Sequence, residues 1–281
     1  MMEEHDHITR TLLSSGEYIT DASKPRHLLD RLALNTRLYF HTRFVGIVFA
    51  TRGEARRGLY DTARWVSSSH EIFDLIENCG GRFKITGLDN IKNCPGPVIF
   101  LSNHMSTLET MIFPGIIQPL KDTTFVVKDA LVRHFAFSDV MRSRNPIVLS
   151  RNHPREDFGI MMEQGLDRLS HGISVIIFPQ STRRTEFIPA EFNSIGVKLA
   201  LRAGVQVIPV AITTDFWANG KYTKYLGKIR RRRPIRIAFG APLSIGSQGK
   251  NEQKQVVEYI QSHLHKWREE DLNAGIPSAS G

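Results

Sequence analysis

The spacing of apolar residues changes character near residue 81. From 28 to 78 few helix breakers occur besides Gly46, Gly53 and Gly58, and the spacing predicts helix. Its apolar residues, among them Leu28, Leu32, Tyr39, Phe40, Phe44 and Val48, spread around the wheel between Arg31, Arg37 and Arg43 rather than along one stripe. Such a segment packs on the main body or docks at a lipid interface where basic side chains snorkel to phosphates, and the two roles are compatible. From Gly81 onward, apolar runs at 98–101, 124–127, 147–149, 173–178, 205–212 and 235–239 read as strands. Helical stretches lie between them: 156–170 stops before Gly172, 191–203 stops at Gly204, and 251–267 aligns Val256, Ile260, Leu264 and Trp267 on one face. The alternation predicts an α/β fold, a central mixed sheet flanked by helices, preceded by an N-terminal helical segment, with no internal repeat. The expected organisation is a disordered or weakly ordered tail over 1–25, a helical docking or packing segment over 26–80, the α/β domain over 81–271 and a flexible tail over 272–281.

Composition then narrows the partners. Of 281 residues 41% are hydrophobic, enough for a sizeable core, and the formal charge of +9 points to phosphorylated metabolites, anionic lipid surfaces or nucleic acid. Cys79 and Cys94 show neither a CxxC pairing nor metal-ligand spacing, which fits a reduced cytoplasmic protein and predicts no metal site. Residues 1–10 carry Glu3, Glu4 and Asp6 and no apolar core of a secretory signal. No window holds the ~20 apolar residues that cross a bilayer, so a peripheral contact with the membrane is expected rather than a span.

Candidate chemistry begins at Asn103-His104-Met105-Ser106-Thr107-Leu108-Glu109, where strand-like sequence ends. A histidine that titrates near neutrality, its tautomer fixed by a carboxylate, deprotonates a hydroxyl. Five positions on one helix turn through roughly 140°, so the pair meets only if His104 lies in the loop and Glu109 in the first helical turn. Ser106-x-x-Glu109 has the form of a capping box and favours that arrangement; by itself it also allows Glu109 to be a cap and His104 a polar loop residue. The strand at 147–149 delivers Arg151, and the strand at 173–178 delivers Gln180, Ser181, Thr182 and Arg183. Ligands bind at the carboxyl ends of α/β strands, so these groups are expected to share a crevice. Asn152-His153 repeats the Asn-His pair, but the fifth residue after His153 is Phe158, not an acid.

These motifs resemble the glycerolipid acyltransferase family, whose members acylate lysophosphatidic acid or glycerol 3-phosphate. Asn103, His104 and Glu109 match its NHxxxxD motif, Arg151 its second motif, Phe178, Pro179, Thr182 and Arg183 its FPEGTRS motif, and Val207, Pro209 and Val210 its VxPV strand, in the family's order. Lys128 also fits the pattern between the first two. Glu109 replaces the usual aspartate, Gln180-Ser181 replaces Glu-Gly, and Asn145 stands where glycine is frequent. The resemblance implies that His104, oriented by Glu109, takes the proton of an acceptor hydroxyl as it attacks the thioester of acyl-coenzyme A or acyl carrier protein. Arg151, Arg183 and Thr182 would bind the acceptor phosphate, and Asn103, Gln180 and Ser181 would line the substrate and oxyanion region. No metal or organic cofactor is implied, only the thioester co-substrate. The expected partners are an anionic membrane surface, the acyl donor and a lysophospholipid, with lysophosphatidate the favoured acceptor. A different lyso-lipid or glycerol acceptor, or a catalytically idle lipid-binding scaffold, is the alternative. Arg230 to Arg233, with Tyr222, Tyr225 and Lys228, carry enough charge and aromatic surface for nucleic acid, but no recognised binding motif accompanies them, so nucleic acid is not the expected partner.

Overall fold

The computed structural model describes residues 2–34, 36–180, 182–221 and 223–277, and for residues 2–6 the backbone only. The chain opens with α1 (Met2–Ser14), β1 (Glu17–Ile19), α2 (Leu28–Leu32), α3 (Leu38–Arg56) and α4 (Thr62–Asn78). It continues through β2 (Phe83–Thr86), α5 (Leu88–Lys92), β3 (Val98–Ser102), α6 (Leu108–Ile117), β4 (Thr123–Lys128), α7 (Asp129–Arg133), α8 (Ser138–Ser143) and β5 (Ile147–Leu149). It closes with α9 (Pro154–Ser170), β6 (Ser174–Ile177), α10 (Ile195–Ala203), β7 (Gln206–Thr213), β8 (Ile235–Phe239) and α11 (Lys250–Asn273).

The strands form one mixed sheet in the order β1-β2-β8-β7-β3-β6-β4-β5, as the α/β pattern predicts. Strands β7, β3, β6, β4 and β5 run parallel, which gathers their carboxyl ends along one edge. β8 runs antiparallel to β7. Side chains alternate across β3: Val98 and Phe100 join a core under α3, α4 and α6, while Ile99 and Leu101 join a second core under α9, α10 and α11. Burial on both faces explains why these strands read as continuous apolar runs.

The N-terminus departs from expectation. Residues 2–14 are helical, and residues 17–19 pair antiparallel with β2, Tyr18 opposite Ile85. Ile8, Leu12 and Tyr18 are buried, and the Tyr18 hydroxyl donates to buried Glu77 at 3.0 Å. The expected weakly ordered tail over 1–25 is therefore corrected: three well-spaced apolar residues and a buried acid hold a stretch whose composition is otherwise polar. At the other end α11 reaches Asn273 and Arg233 Nη1 donates to the Pro277 carbonyl at 3.1 Å. Residues 278–281 of the predicted 272–281 tail lie outside the described residues.

The helical segment divides its apolar residues between two surfaces. In α3, Phe40, Phe44 and Val48 are buried at i, i+4 and i+8, with Phe40 and Phe44 edge-on to Trp217 at 4.8 and 4.7 Å. Leu38, Val45 and Phe49 of the same helix are exposed. α4 begins at Asp61, whose carboxylate accepts from Arg64 N at 2.8 Å, and lies tightly on α6. There Pro114 interrupts the helical ladder, the Ser69 hydroxyl accepts from Gly115 N at 2.8 Å and donates to the Met111 carbonyl at 2.7 Å, and His70 Nε2 donates to the Gly115 carbonyl. A Cβ on Gly115 would come within 2.6 Å of the His70 ring, so this contact requires glycine. No helix among the described residues is long and apolar enough to cross a membrane.

Candidate active site

His104 sits in the loop between β3 and α6, and Glu109 is the second residue of α6. Glu109 Oε1 accepts from His104 Nδ1 at 2.9 Å, from Met105 N at 2.7 Å and from Ser106 N at 2.8 Å. Its Oε2 accepts from the hydroxyls of Ser106 at 2.9 Å and Thr214 at 2.7 Å. Ser106 Oγ accepts from Leu108 N at 3.0 Å rather than from Glu109 N, and the helix's own N-cap is Thr107 with no side-chain cap bond, so only the return half of the expected capping box forms, and the same acid that makes it also holds the histidine. Burying a carboxylate is costly, and five donors offset the cost. Burial alone would raise the Glu109 pKa, but the bond and charge of His104, the Thr214 hydroxyl and the Ser106 amide together hold it below the usual value. The negative charge at Nδ1 fixes that nitrogen as the protonated one and makes Nε2 the acceptor, which here receives a long 3.4 Å bond from Arg183 Nε that an entering hydroxyl would replace.

The imidazole stacks on Phe178, ring centres 4.2 Å apart, and its side chain is 11% exposed. Its backbone amide donates to Gln180 Oε1 at 3.1 Å and its carbonyl accepts from Arg184 N at 2.9 Å, which docks the loop after β6 against it. Burial, joined by the charges of Arg183 and Arg151, lowers the His104 pKa despite the opposing pull of Glu109. The ring is thus neutral, the form that accepts a proton, at any pH above that lowered value. The acid limb of kcat/KM is expected to inflect below the ordinary histidine value of 6.5. A pH–rate profile inflecting above it would show that the environment protonates the ring instead.

Two guanidinium groups approach the same place. Arg183 Nε lies 3.4 Å from His104 Nε2 and its Nη1 donates to Thr107 Oγ1 at 3.0 Å. Arg151 reaches in from the end of β5 on a backbone with φ of 62°. Burial lowers both pKa values, against Glu109 for Arg183 and Asp157 for Arg151, yet an arginine stays charged at neutral pH. Partly desolvated cations of this kind favour an entering phosphate. All these groups line one cavity of about 450 Å³, together with Thr182, Lys128 and Lys224. Away from the cations its wall is apolar, running past Met111, Phe125, Ile47 and Ile72 to Trp65 and to Tyr60, whose hydroxyl shares a 2.6 Å bond with Ser68.

The remaining sequence candidates are placed as follows. Asn103 does not face substrate: its Nδ2 donates to the Ile212 carbonyl at 3.0 Å and its Oδ1 accepts from Ile212 N at 2.9 Å. The expected oxyanion role gives way to a tie between the histidine loop and β7, because the side chain is buried and does not line the cavity. Gln180 is buried behind the histidine, its Nε2 without a hydrogen-bond partner among the described residues, and Ser181 lies outside them. Asn145 takes φ of 47°, in the left-handed region that glycine adopts at no steric cost. The arginine run turns inward: Arg231 pairs with Asp30 at 2.7 Å and Arg233 with Asp215 at 2.7 Å, so these two serve as internal clamps. Tyr225 leaves that run and joins the cavity, its hydroxyl 3.2 Å from His134 Nε2, while Tyr222 lies outside the described residues. Sequence reasoning missed Thr214 and Lys224; Thr214 directly follows β7, and Lys224 Nζ stands 3.5 Å from Thr182 Oγ1. Among the described residues no group of three or more His, Cys, Asp or Glu is placed to hold a metal ion.

Residues 82–213 match the family model described as Acyltransferase. The chain is similar to the 1-acyl-sn-glycerol-3-phosphate acyltransferase of Pseudomonas aeruginosa, 32% identical over 152 residues, 54% of this chain and 57% of that protein. It is 23% identical over 171 residues to the Escherichia coli protein of the same name, covering 61% of this chain and 66% of that one. The matched segment therefore spans less than two thirds of either relative. Among solved structures, the 1-acyl-sn-glycerophosphate acyltransferase PlsC of Thermotoga maritima shares the fold, with a TM-score of 0.61 at 19% identity over 85% of this chain and 97% of that one.

Proposed function

We propose, from the premise that residues 82–213 form a domain of the acyltransferase family, that the protein moves a fatty acyl group from acyl-coenzyme A or acyl carrier protein to the hydroxyl of lysophosphatidic acid. The observation that carries this reading is the meeting, in one cavity, of a carboxylate-held histidine, two arginines and a long apolar wall. His104 Nε2 takes the acceptor's hydroxyl proton while the oxygen attacks the thioester carbonyl. The tetrahedral intermediate collapses, the C–S bond breaks, and the thiolate leaves with the proton returned from His104. A thiolate is a far better leaving group than an alkoxide, so no covalent acyl-enzyme is required. Each methylene buried along the apolar wall adds about 0.8 kcal/mol, which gives the acyl chain a place beside the cations that hold the phosphate.

The surface supports delivery from a bilayer. Leu28, Leu32, Leu34 and Leu38 are 65, 66, 83 and 67% exposed, beside Arg31, Arg37 and Arg43. Exposed Phe49 of α3 meets exposed Phe135, ring centres 6.2 Å apart. An apolar, arginine-flanked patch of this kind suits peripheral contact with anionic lipid.

Thiol release from acyl-coenzyme A, followed with lysophosphatidate, monoacylglycerol and lysophosphatidylcholine, tests the reading. Turnover is expected with lysophosphatidate in preference to the others. Arg183→Ala is expected to raise the acceptor KM roughly 10- to 100-fold, since a charged hydrogen bond contributes about 1.5–3 kcal/mol. An unchanged KM would remove Arg183 from the phosphate site, and no thiol release with any acceptor would favour an idle lipid-binding scaffold.

A further inference from the structure

Arg151 reaches the cavity from a strained backbone. Its φ of 62° lies in the left-handed region, which is unfavourable for a side chain of this size. No glycine relieves the turn, so another group has to impose it. The carboxylate of Asp157 does so: Oδ1 accepts from Ser150 N at 2.8 Å and Oδ2 accepts from Arg151 N at 2.7 Å. Asp157 is in the first turn of α9, 7% exposed, with its own amide donating to the His153 carbonyl at 2.9 Å. Pro154 starts that helix and His153 supplies no side-chain cap, so the acid is spent on the loop rather than on closing the helix. The Ser150 hydroxyl completes the turn by accepting from Asn152 N at 3.1 Å.

The arrangement parallels that at the other side of the cavity. Glu109 in the first turn of α6 gathers the amides of Met105 and Ser106 and so sets the loop that carries His104. Asp157 in the first turn of α9 gathers the amides of Ser150 and Arg151 and sets the turn that carries the guanidinium. The second Asn-His pair, Asn152-His153, lacks an acid five residues on, but the acid four residues on has a different task.

We infer that Asp157 is the positioning residue for the acceptor-phosphate clamp, holding Arg151 in its left-handed turn so that its guanidinium meets the phosphate. The inference rests on the proposed acceptor site, and its test separates the two. Asp157→Asn and Asp157→Ala, Arg151→Ala and the corresponding double variants are titrated calorimetrically with a short-chain lysophosphatidate below its micelle concentration, with the matching monoacylglycerol as neutral control. Turnover is measured on the same samples. Asp157→Asn is expected to weaken lysophosphatidate binding and raise its KM about tenfold, with kcat moving much less. Arg151→Ala gives a similar loss, and the double variant adds little to it. Binding of the neutral control should shift far less than binding of lysophosphatidate.

Unaltered lysophosphatidate affinity in a folded Asp157→Asn protein would overturn the inference. So would a loss that adds in full to that of Arg151→Ala, or one equally large for monoacylglycerol. Should Asp157→Ala not fold, Asp157→Asn retains one acceptor oxygen and the comparison stands. A wild-type protein that binds no lysophosphatidate overturns the acceptor site itself and the inference with it. One that binds it but releases no thiol refutes only the catalytic reading and leaves the binding titration to judge Asp157.

Discussion

His104→Ala is expected to reduce acyl transfer by about 10³-fold or more while the protein stays folded. Among the described residues of the cavity the imidazole is the group placed both to accept the hydroxyl proton and to be held by a buried acid, and general base catalysis alone contributes about 10² to 10⁴. Removing the ring takes away the stacking on Phe178 but leaves Glu109 with Met105, Ser106 and Thr214 as donors. The loop therefore keeps its anchor, and the loss should appear in kcat rather than in acceptor affinity. Thiol-release kinetics with circular dichroism on the same sample checks this, and turnover within a few-fold of wild type would exclude His104 as the base.

Glu109→Gln is the second large effect. The amide has nearly the same shape, and with Oε1 toward the histidine and the two backbone amides its NH2 donates to the Ser106 and Thr214 hydroxyls, which must rotate away, Ser106 toward the Thr214 carbonyl at 3.0 Å. Turned the other way, the NH2 would face the Nδ1–H and two backbone N–H donors, which cannot accept. The negative charge that would stabilise the imidazolium is gone in either orientation. A fall in kcat of about 10² to 10⁴ is expected, with a lower melting temperature because a buried set of donors loses its anion. A kcat within threefold of wild type would show that Glu109 is only a helix cap.

Much of this site was legible in the sequence because its parts are local. The return half of the capping box brings Glu109 back to His104 within one turn, and the strand ends that carry Arg151 and Arg183 are marked by apolar runs buried on both faces. What escaped depends on distant partners. Asn103 looks like a substrate ligand beside His104, yet its amide is taken by Ile212, 109 residues away. Thr214 reaches the same carboxylate from the end of β7, and nothing in a single strand-end threonine signals it. β1 was missed because three residues between polar stretches carry no readable period, and only pairing with β2 makes them a strand. The split of α3 into a stripe under Trp217 and an exposed stripe was equally hidden, since apolar residues all round a helix do not say which side is covered. Asn145 was readable in reverse: a residue standing where glycine is frequent adopts the left-handed backbone that glycine would supply.

The central claim is that this cavity joins an acyl group to a phosphorylated alcohol. The most direct measurement offers the purified protein acyl-coenzyme A with an equimolar mixture of lyso-lipids and quantifies acylated products by mass spectrometry against free thiol. Phosphatidic acid formed in a one-to-one ratio with released coenzyme A, and absent with His104→Ala, is the predicted result. Thiol released without an acylated lipid, or the same products at the same rate from the variant, would contradict it.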